Sequence, residues 1–356
     1  MFVLVKNKIT NEYNTIYKRD IQSFLNLKSF FGNEEFNFEI IEDINIIKEI
    51  LDEKFTSKGR GEYYNEDLPS VTKIAYSLYP ININAEKFLL KWKNNTPLIE
   101  QEGNKDLILA KGTFVHYCIE QFICDKDARL KDKPLIEQLK ILKLTKKPSK
   151  KIEKQIDNKI MNNIRKYIQM AYQDEEILRK IPNIDEIKEE LEFVAIKCLP
   201  EFIKEELIFT DLVYSEIFLQ TDVIQGSIDM CCYDQNNFAI WDFKTTSSTD
   251  KNTGKPKFKN NSQLAPYARQ IYIYNKLLKE TGMHHLLGDV QPNYNIIQLH
   301  LISGKYKKFN IPQGLVEAQG KTIEKVLNWY WDIRNETYIS PSDTTDEVED
   351  LQFLTL

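Results

Sequence analysis

Residues 226–233 have the sequence GSIDMCCY and residues 238–246 have the sequence FAIWDFKTT, with the run DQNN between them. Both segments are rich in residues that favour β-strands, while Asp, Gln and Asn favour a turn. The pattern therefore predicts a β-hairpin. A turn centred between Gln235 and Asn236 places Asp229 directly opposite Asp242, and the regular alternation argues against a bulge.

The predicted hairpin has one charged face and one apolar face, because side chains of a strand point alternately to the two sides of a sheet. Asp229, Asp242 and Lys244 fall on the charged face. A slip of one residue in the pairing would bury both carboxylates, so the apolar face fixes the register. The residues expected on the apolar face are Ile228, Met230, Cys232, Ala239, Trp241 and Phe243.

Two carboxylates and one ammonium group at a strand edge suit a divalent cation and a phosphodiester. Mg²⁺ prefers oxygen ligands and takes one or two carboxylates together with water and phosphate oxygens. Glu216, on the preceding predicted strand, is a further candidate ligand. An exposed sheet face with ordinary salt bridges is the alternative interpretation.

Residues 106–123 have helical spacing of apolar residues. His116 and Glu120 are four residues apart and therefore share a helical face. The imidazole is a candidate ligand of the metal or a group that holds a water or a phosphate, although an isolated pair of this kind is more often structural. Gly112 lowers helix stability at its position, which indicates a close approach to another part of the chain.

A second helix is predicted over residues 263–278, with Pro266 in its first turn. It carries two Gln-x-x-x-Tyr pairs, each on one face, which are candidates for holding phosphates or stacking a base. An amphipathic helix that covers the sheet would show the same pattern. The pairs are Gln263 with Tyr267 and Gln270 with Tyr274.

The segment 139–166 holds ten basic and two acidic residues, although the chain as a whole has a net charge of −5. Such a stretch suits sequence-independent neutralisation of phosphates, and a solvated helix face is the alternative. Among its members, those predicted to contact nucleic acid are Lys146, Lys147, Lys150 and Lys151.

The composition indicates a soluble, intracellular protein without a membrane segment, since no apolar run approaches the length of a membrane helix. The five cysteines include no C-x-x-C pair, which favours reduced, buried thiols. Abundant Lys, Asn and Ile point to an AT-rich genome, such as that of a phage or a low-GC bacterium. We therefore expect the protein in the cytoplasm of a bacterium or of a phage-infected cell, and the mitochondrial matrix is less favoured. The C-terminal tail, 341–356, combines an acidic run with apolar residues, as in peptides that dock on a sliding clamp; packing on its own domain is the alternative.

In order, the motifs are PSVTKI (69–74), LLKW (89–92), GTFVHYCIE (112–120), Glu216, GSID (226–229), DFKT (242–245) and QLAPY (263–267). This ordered set resembles the RecB-type exonuclease branch of the PD-(D/E)XK nuclease superfamily, and within it the group of the mitochondrial genome maintenance exonuclease and its phage counterparts. Lys73 departs from the small residue that is usual in the first motif.

The resemblance implies an α/β fold, with a PD-(D/E)XK nuclease core in which helices flank a central mixed β-sheet and a helical insertion forms an arch. We expect an N-terminal α/β extension over residues 1–66 and the nuclease domain over 67–340, with 127–206 as the lysine-rich helical insertion.

The resemblance also implies hydrolysis of DNA, preferentially single-stranded and from a free end, with Mg²⁺ or Mn²⁺, in replication, repair or recombination. It assigns the metal to Asp229 and Asp242, with Glu216 and His116 as further candidates, the catalytic lysine to Lys244, and DNA contacts to Gln263 and Tyr267. Thr245, next to that lysine, is a further candidate for contact with DNA. Some RecB-type nucleases hold an iron–sulfur cluster through cysteines of which the last three follow the nuclease motifs. Here no cysteine follows Cys232, so such a cluster is not expected. A structure-specific flap or duplex endonuclease and an inactive DNA-binding scaffold are the alternatives.

Overall fold

The computed structural model describes residues 2–17, 20–23, 37–55, 65, 68–77, 105–125, 150–207, 212–233, 238–250, 253–259, 263–287 and 292–334. The predicted motif at 89–92, Lys146, Lys147 and the tail 341–356 lie outside these residues. In the described parts, no helix is long and apolar enough to cross a membrane.

The strands fall into two sheets, of three and five strands. They are β1 (Phe2–Asn7), β2 (Tyr13–Tyr17), β3 (Phe38–Ile41), β4 (Val213–Gln220), β5 (Gln225–Tyr233), β6 (Phe238–Thr246), β7 (Asn293–His300) and β8 (Tyr306–Asn310). The α-helices with described bounds are α1 (Ile44–Phe55), α2 (Val71–Ser77), α3 (Lys105–Cys124), α4 (Lys150–Ala171), α5 (Glu175–Lys180), α6 (Lys188–Phe202), α7 (Ala265–Glu280), α8 (Gln313–Ala318) and α9 (Gly320–Arg334).

The five-stranded sheet is the centre of the fold and has the order β4-β5-β6-β7-β8. Its neighbouring strands are antiparallel except for β6 and β7, which are parallel. A parallel pair needs a long crossover connection, and α7 lies in that connection. The predicted α/β class with a mixed sheet and flanking helices is confirmed.

Helices cover both faces of this sheet, and each face has its own hydrophobic core. On one face, Ile271 and Leu277 of α7 share a core with Ile240 and Ile296 of the sheet. The three-stranded sheet and α1, α2, α8 and α9 contribute to the same core. On the other face α3, α4 and α6 pack on residues that include Trp241 and Phe243. Strands buried on both faces have nearly continuous apolar sequences, as β5 and β6 do.

The helical segment after residue 149 is part of the second core. Helix α4 buries apolar residues at helical spacing, namely Ile156, Ile160, Ile164, Tyr167, Ile168 and Ala171. Its opposite face is exposed and basic, and it includes Lys150, Lys151 and Lys154. These helices therefore cover the sheet, and the predicted arch and domain boundaries stay predictions.

The predicted register of β5 and β6 is confirmed up to the pair Met230–Trp241. The ladder ends there, one residue before Asp229 would pair with Asp242. The prediction of unbroken alternation is wrong, because Ile228 packs in the α7-side core whereas Met230 packs in the α3-side core. Residues 228 and 230 of a regular strand would share one face, so β5 is irregular at Asp229.

The segment before α2 is fixed to β5 by Gln225, whose side chain is fully buried. Its amide donates to the carbonyl oxygens of Asn65 and Leu68, and its Oε1 accepts from the Asn65 N–H. The Lys73 N–H donates to Ser70 Oγ over 3.2 Å, so the Ser70 side chain caps the start of α2. A Cβ atom on Gly226 would lie 2.5 Å from Val71 Cγ2, so only glycine allows this approach.

We expect Gly226→Ala to lower the free energy of unfolding by about 1–3 kcal/mol, as overpacking of a tight core site does. The added methyl group must displace Val71, a β-branched and stiff side chain. Urea denaturation measures the change. Gly314→Ala is the matched control, since nothing lies within 4 Å of its added Cβ. Equal stability of the two variants would contradict the tight contact, and adding Val71→Ala should make the effects non-additive.

Candidate active site

The buried carboxylate of Asp242 is the centre of the candidate site. It lies on β6 and is 1% exposed. Its Oδ2 lies 2.6 Å from the Nζ of Lys244, two residues along the same strand and on the same face. A buried charge is costly unless it is paired and hydrogen-bonded, and the ion pair with Lys244 meets the first of these needs.

Helix α7 provides the hydrogen bonds to this carboxylate. Gln270 Nε2 donates to Asp242 Oδ1 over 2.7 Å and to the Tyr274 hydroxyl oxygen over 2.8 Å. The Tyr274 hydroxyl in turn donates to the Ser227 carbonyl oxygen over 2.7 Å. This chain links α7 to β5 and β6 and fixes the orientation of Asp242.

Asp229 lies where β5 and β6 separate. Its Oδ2 accepts a hydrogen bond of 2.7 Å from the Phe243 N–H, so the carboxylate occupies the place of a ladder partner. Glu216 on β4 is the position opposite Asp229, and its φ of 48° is in the left-handed region. For a non-glycine residue this conformation costs about 1–3 kcal/mol and is typical of functional sites.

The ionisation of the central pair follows from burial and mutual charge. Burial raises the pKa of Asp242 to about 6; Lys244 opposes the rise and Asp229 adds to it. Burial alone would lower the pKa of Lys244, but Asp242 above all holds it well above its usual value. Lys244 is therefore an ammonium ion at neutral pH, and Asp242 changes from acid to carboxylate near pH 6.

His116 approaches the site from the opposite face of the sheet. Its ring lies edge-on to Phe243, with centroids 6.0 Å apart. Burial lowers the pKa of His116 to about 4, with Lys244 acting in the same direction and Asp242 opposing. The imidazole is therefore neutral at pH 7 and can accept a proton, a hydrogen bond or a metal.

Helix α3 reaches the end of β6 through Gly112. A Cβ atom there would lie 2.8 Å from Thr245 Oγ1, which confirms the close approach predicted for this glycine. Thr245 thus faces α3, while the neighbouring Lys244 faces α7. This packing places α3 and its histidine beside the strand that carries the catalytic candidates.

Two tyrosines and a lysine complete the surroundings of Lys244, and only Tyr267 among them was predicted from the sequence. The rings of Tyr76 on α2 and Tyr267 on α7 lie edge to face with centroids 6.4 Å apart. Burial raises the pKa of Tyr76, against the effect of Lys244. Tyr267 also lies beside Lys259, from the loop after β6. Tyr76 follows the PSVTKI motif, but no spacing in the sequence relates it to β6.

Asp229 and Asp242 together fit a magnesium or manganese ion, but they do not fill its coordination shell. In the described parts of the chain, no three His, Cys, Asp or Glu side chains converge to hold a metal. The Oδ2 atom of Asp242 is buried and, among the described residues, accepts no hydrogen bond. It forms an ion pair with the Lys244 ammonium. Two carboxylates suffice for Mg²⁺ when water and substrate phosphate complete the shell.

The predicted DNA-binding residues occupy different environments. Gln263 is exposed just before α7, and Lys150 and Lys151 are exposed at the start of α4. Tyr267 is buried, with 2% of its surface exposed. Gln270 and Tyr274 are also buried, and they are bonded to Asp242 and to the β5 backbone. Their burial favours a role in positioning Asp242 over the predicted contact with DNA.

A family model described as the PD-(D/E)XK nuclease superfamily matches residues 88–303, which is more than half of the chain. The match spans α3, the five-stranded sheet up to β7, and α7. The chain therefore belongs to the PD-(D/E)XK nuclease superfamily, and this membership implies nuclease activity. A comparison with curated proteins gives no significant match.

Proposed function

We propose that this protein is a metal-dependent exonuclease of the RecB type that hydrolyses single-stranded DNA from a free end. The observation that supports nuclease chemistry is the buried Asp242–Lys244 pair, with Asp229 beside it at the point where β5 and β6 separate. The ordered motifs from PSVTKI to QLAPY support the RecB-type assignment. Replication, repair or recombination of DNA is the corresponding process.

Each side chain of the site has a task that follows from its environment. Asp229 and Asp242 would hold Mg²⁺ or Mn²⁺, which when bound activates water and neutralises charge on the phosphate. The Lys244 ammonium stabilises negative charge that develops on the phosphate oxygens. Gln270 and Tyr274 keep Asp242 in one orientation. His116 and Glu216 are further candidate ligands at the margin of the site.

Binding of a single strand has support from charge. The exposed face of α4 carries Lys150, Lys151 and Lys154, and lysines on such a face bind phosphates without regard to sequence. Tyr267 lies near the catalytic lysine but is buried, so its ring would support the site and not stack on a base. A DNA strand that contacts α4 and ends at β6 would meet the lysines of α4 and then the Lys244 ammonium.

The proposal predicts that the protein degrades linear single-stranded DNA and leaves a circular single strand of the same sequence intact. An enzyme that needs a free end cannot begin on a circle. The measurement is the release of labelled nucleotides from both substrates with Mg²⁺ or Mn²⁺, with chelator as the control. Equal cleavage of the circle would favour the endonuclease alternative, and cleavage of neither substrate would contradict the nuclease assignment.

A further inference from the structure

The loop after β6 carries a lysine into the site that the proposed chemistry does not use. Lys259 Nζ lies 4.4 Å from the ring centroid of Tyr267, and Lys244 Nζ lies 6.0 Å from the same centroid. Both cations therefore adjoin one aromatic ring. Such an arrangement stabilises each ammonium through the ring, while the two like charges repel each other.

This loop is anchored to the strand next to Lys244. The Lys259 N–H donates to Gln298 Oε1 over 2.9 Å, and Gln298 on β7 is the register partner of Lys244. The side chain of Gln298 is buried. Farther along β7, His300 Nε2 lies 2.8 Å from the Ser248 carbonyl oxygen. The position of Lys259 relative to Lys244 is thus determined by β7.

Among the residues that the structure describes, no acid balances the charge of Lys259. Within the described residues no carboxylate forms an ion pair with it, in contrast to Lys244, which pairs with Asp242. Burial and the charge of Lys244 both lower the pKa of Lys259, so its charged form is destabilised in the free protein. An anion bound beside the Lys259 ammonium would remove this penalty.

We propose that Lys259 binds a backbone phosphate of the DNA next to the bond that is hydrolysed. Lys244 pairs with Asp242 and, in the proposed function, stabilises the phosphate that is hydrolysed, so Lys259 would face a neighbouring phosphate of the same DNA strand. The buried ring of Tyr267 adjoins both cations and would support the two lysines without contacting the DNA. This inference rests on the proposed function, because it assumes that DNA is the substrate.

The first test measures binding of a linear single-stranded oligonucleotide by fluorescence anisotropy in chelator, so that no cleavage occurs. Each phosphate contact to a single strand contributes about 0.7 to the slope of log Kobs against log salt. We expect Lys259→Gln to lose about one such contact and to bind about 3- to 10-fold more weakly near 0.1 M salt. Lys259→Arg should keep most of the affinity.

Lys257→Gln is the matched control, because Lys257 is exposed in the same loop. We expect it to bind as the unchanged protein does. An equal loss in both variants would indicate diffuse attraction and would overturn the assignment of Lys259. An unchanged affinity and slope in Lys259→Gln would overturn it as well, as would a complete lack of DNA binding by the unchanged protein.

The second test separates this inference from the proposed function. In the cleavage assay we expect Lys259→Gln to raise KM with kcat nearly unchanged, the result for a contact made equally in the ground state and the transition state. A fall in kcat at constant KM would contradict a phosphate-binding role. If the unchanged protein bound DNA but did not cleave it, the nuclease proposal would fail, while the anisotropy data would still decide the role of Lys259.

Discussion

Replacement of Asp242 by Asn is expected to lower kcat by about 10³-fold or more, which corresponds to about 4 kcal/mol of transition-state stabilisation. The substitution keeps the size of the side chain and an oxygen that can accept from Gln270, but it removes the charge that binds a metal and pairs with Lys244. Initial rates on end-labelled single-stranded DNA at saturating Mg²⁺ measure the loss.

The matched control is Asp222→Asn, an exposed acid in the turn between β4 and β5. It makes the same change of charge outside the site, and we expect activity within twofold or so of the unchanged protein because exposed charges interact weakly. Circular dichroism and thermal unfolding of both variants separate inactivity from unfolding. Undiminished cleavage by a folded Asp242→Asn variant would exclude Asp242 from the catalytic centre.

The central hairpin could be predicted from the sequence because local chemistry determines it. Turn-forming residues stand between two β-rich segments, and the apolar alternation permits one register, which the pair Met230–Trp241 confirms. The helix α7 was also predictable from its apolar spacing and Pro266. The strands β2, β3 and β8 were not predicted; in β8, for example, only Phe309 is clearly buried, so the burial pattern carries little signal.

The irregularity at Asp229 could not be predicted, because it depends on contacts between strands. The left-handed backbone at Glu216 and the bond from the Phe243 N–H to Asp229 both arise where β5 leaves β6. The prediction from apolar alternation assumes a regular strand, and it therefore placed Ile228 on the wrong face of the sheet. Local rules fail most often at strained functional sites.

The candidate site was predictable where its residues share one strand and unpredictable where they meet through the tertiary fold. Asp242 and Lys244 are two residues apart, and their common face follows from strand geometry. Tyr76 and Lys259 reach the same place from α2 and from a loop. Their approach depends on the anchors at Gln225 and Gln298, which no sequence spacing indicates.

Replacement of Lys244 by Met is expected to lower kcat by about 10²- to 10³-fold, the usual effect of removing one group that stabilises developing charge. The unbranched apolar side chain fills similar space, so the sheet should fold. The matched control is Lys305→Met, an exposed lysine in the turn between β7 and β8. Retention of more than about a tenth of kcat would contradict an electrostatic role of this size.

The pH dependence of Lys244→Met distinguishes this role from a merely structural one. In the unchanged protein the acid limb of metal binding and kcat should lie near pH 6, where Asp242 loses its proton. Lys244 lowers the pKa of Asp242, so its removal should shift both limbs to higher pH. Titration with Mn²⁺ and rate profiles between pH 5 and 8 measure the shift, and an unchanged acid limb would refute the coupling.

Stability provides an independent measure of the same coupling. Because the pKa of Asp242 is raised from 3.8 to about 6 by folding, its contribution to stability is complete below pH 4 and is lost as the pH rises through 6. In Lys244→Met the pKa of Asp242 is higher still, so the loss should continue to higher pH. In Asp242→Asn this contribution disappears, and its unfolding free energy should vary less between pH 4 and 7. The slope of unfolding free energy against pH should become steeper in Lys244→Met and shallower in Asp242→Asn. This result would show that Lys244 lowers the pKa of Asp242.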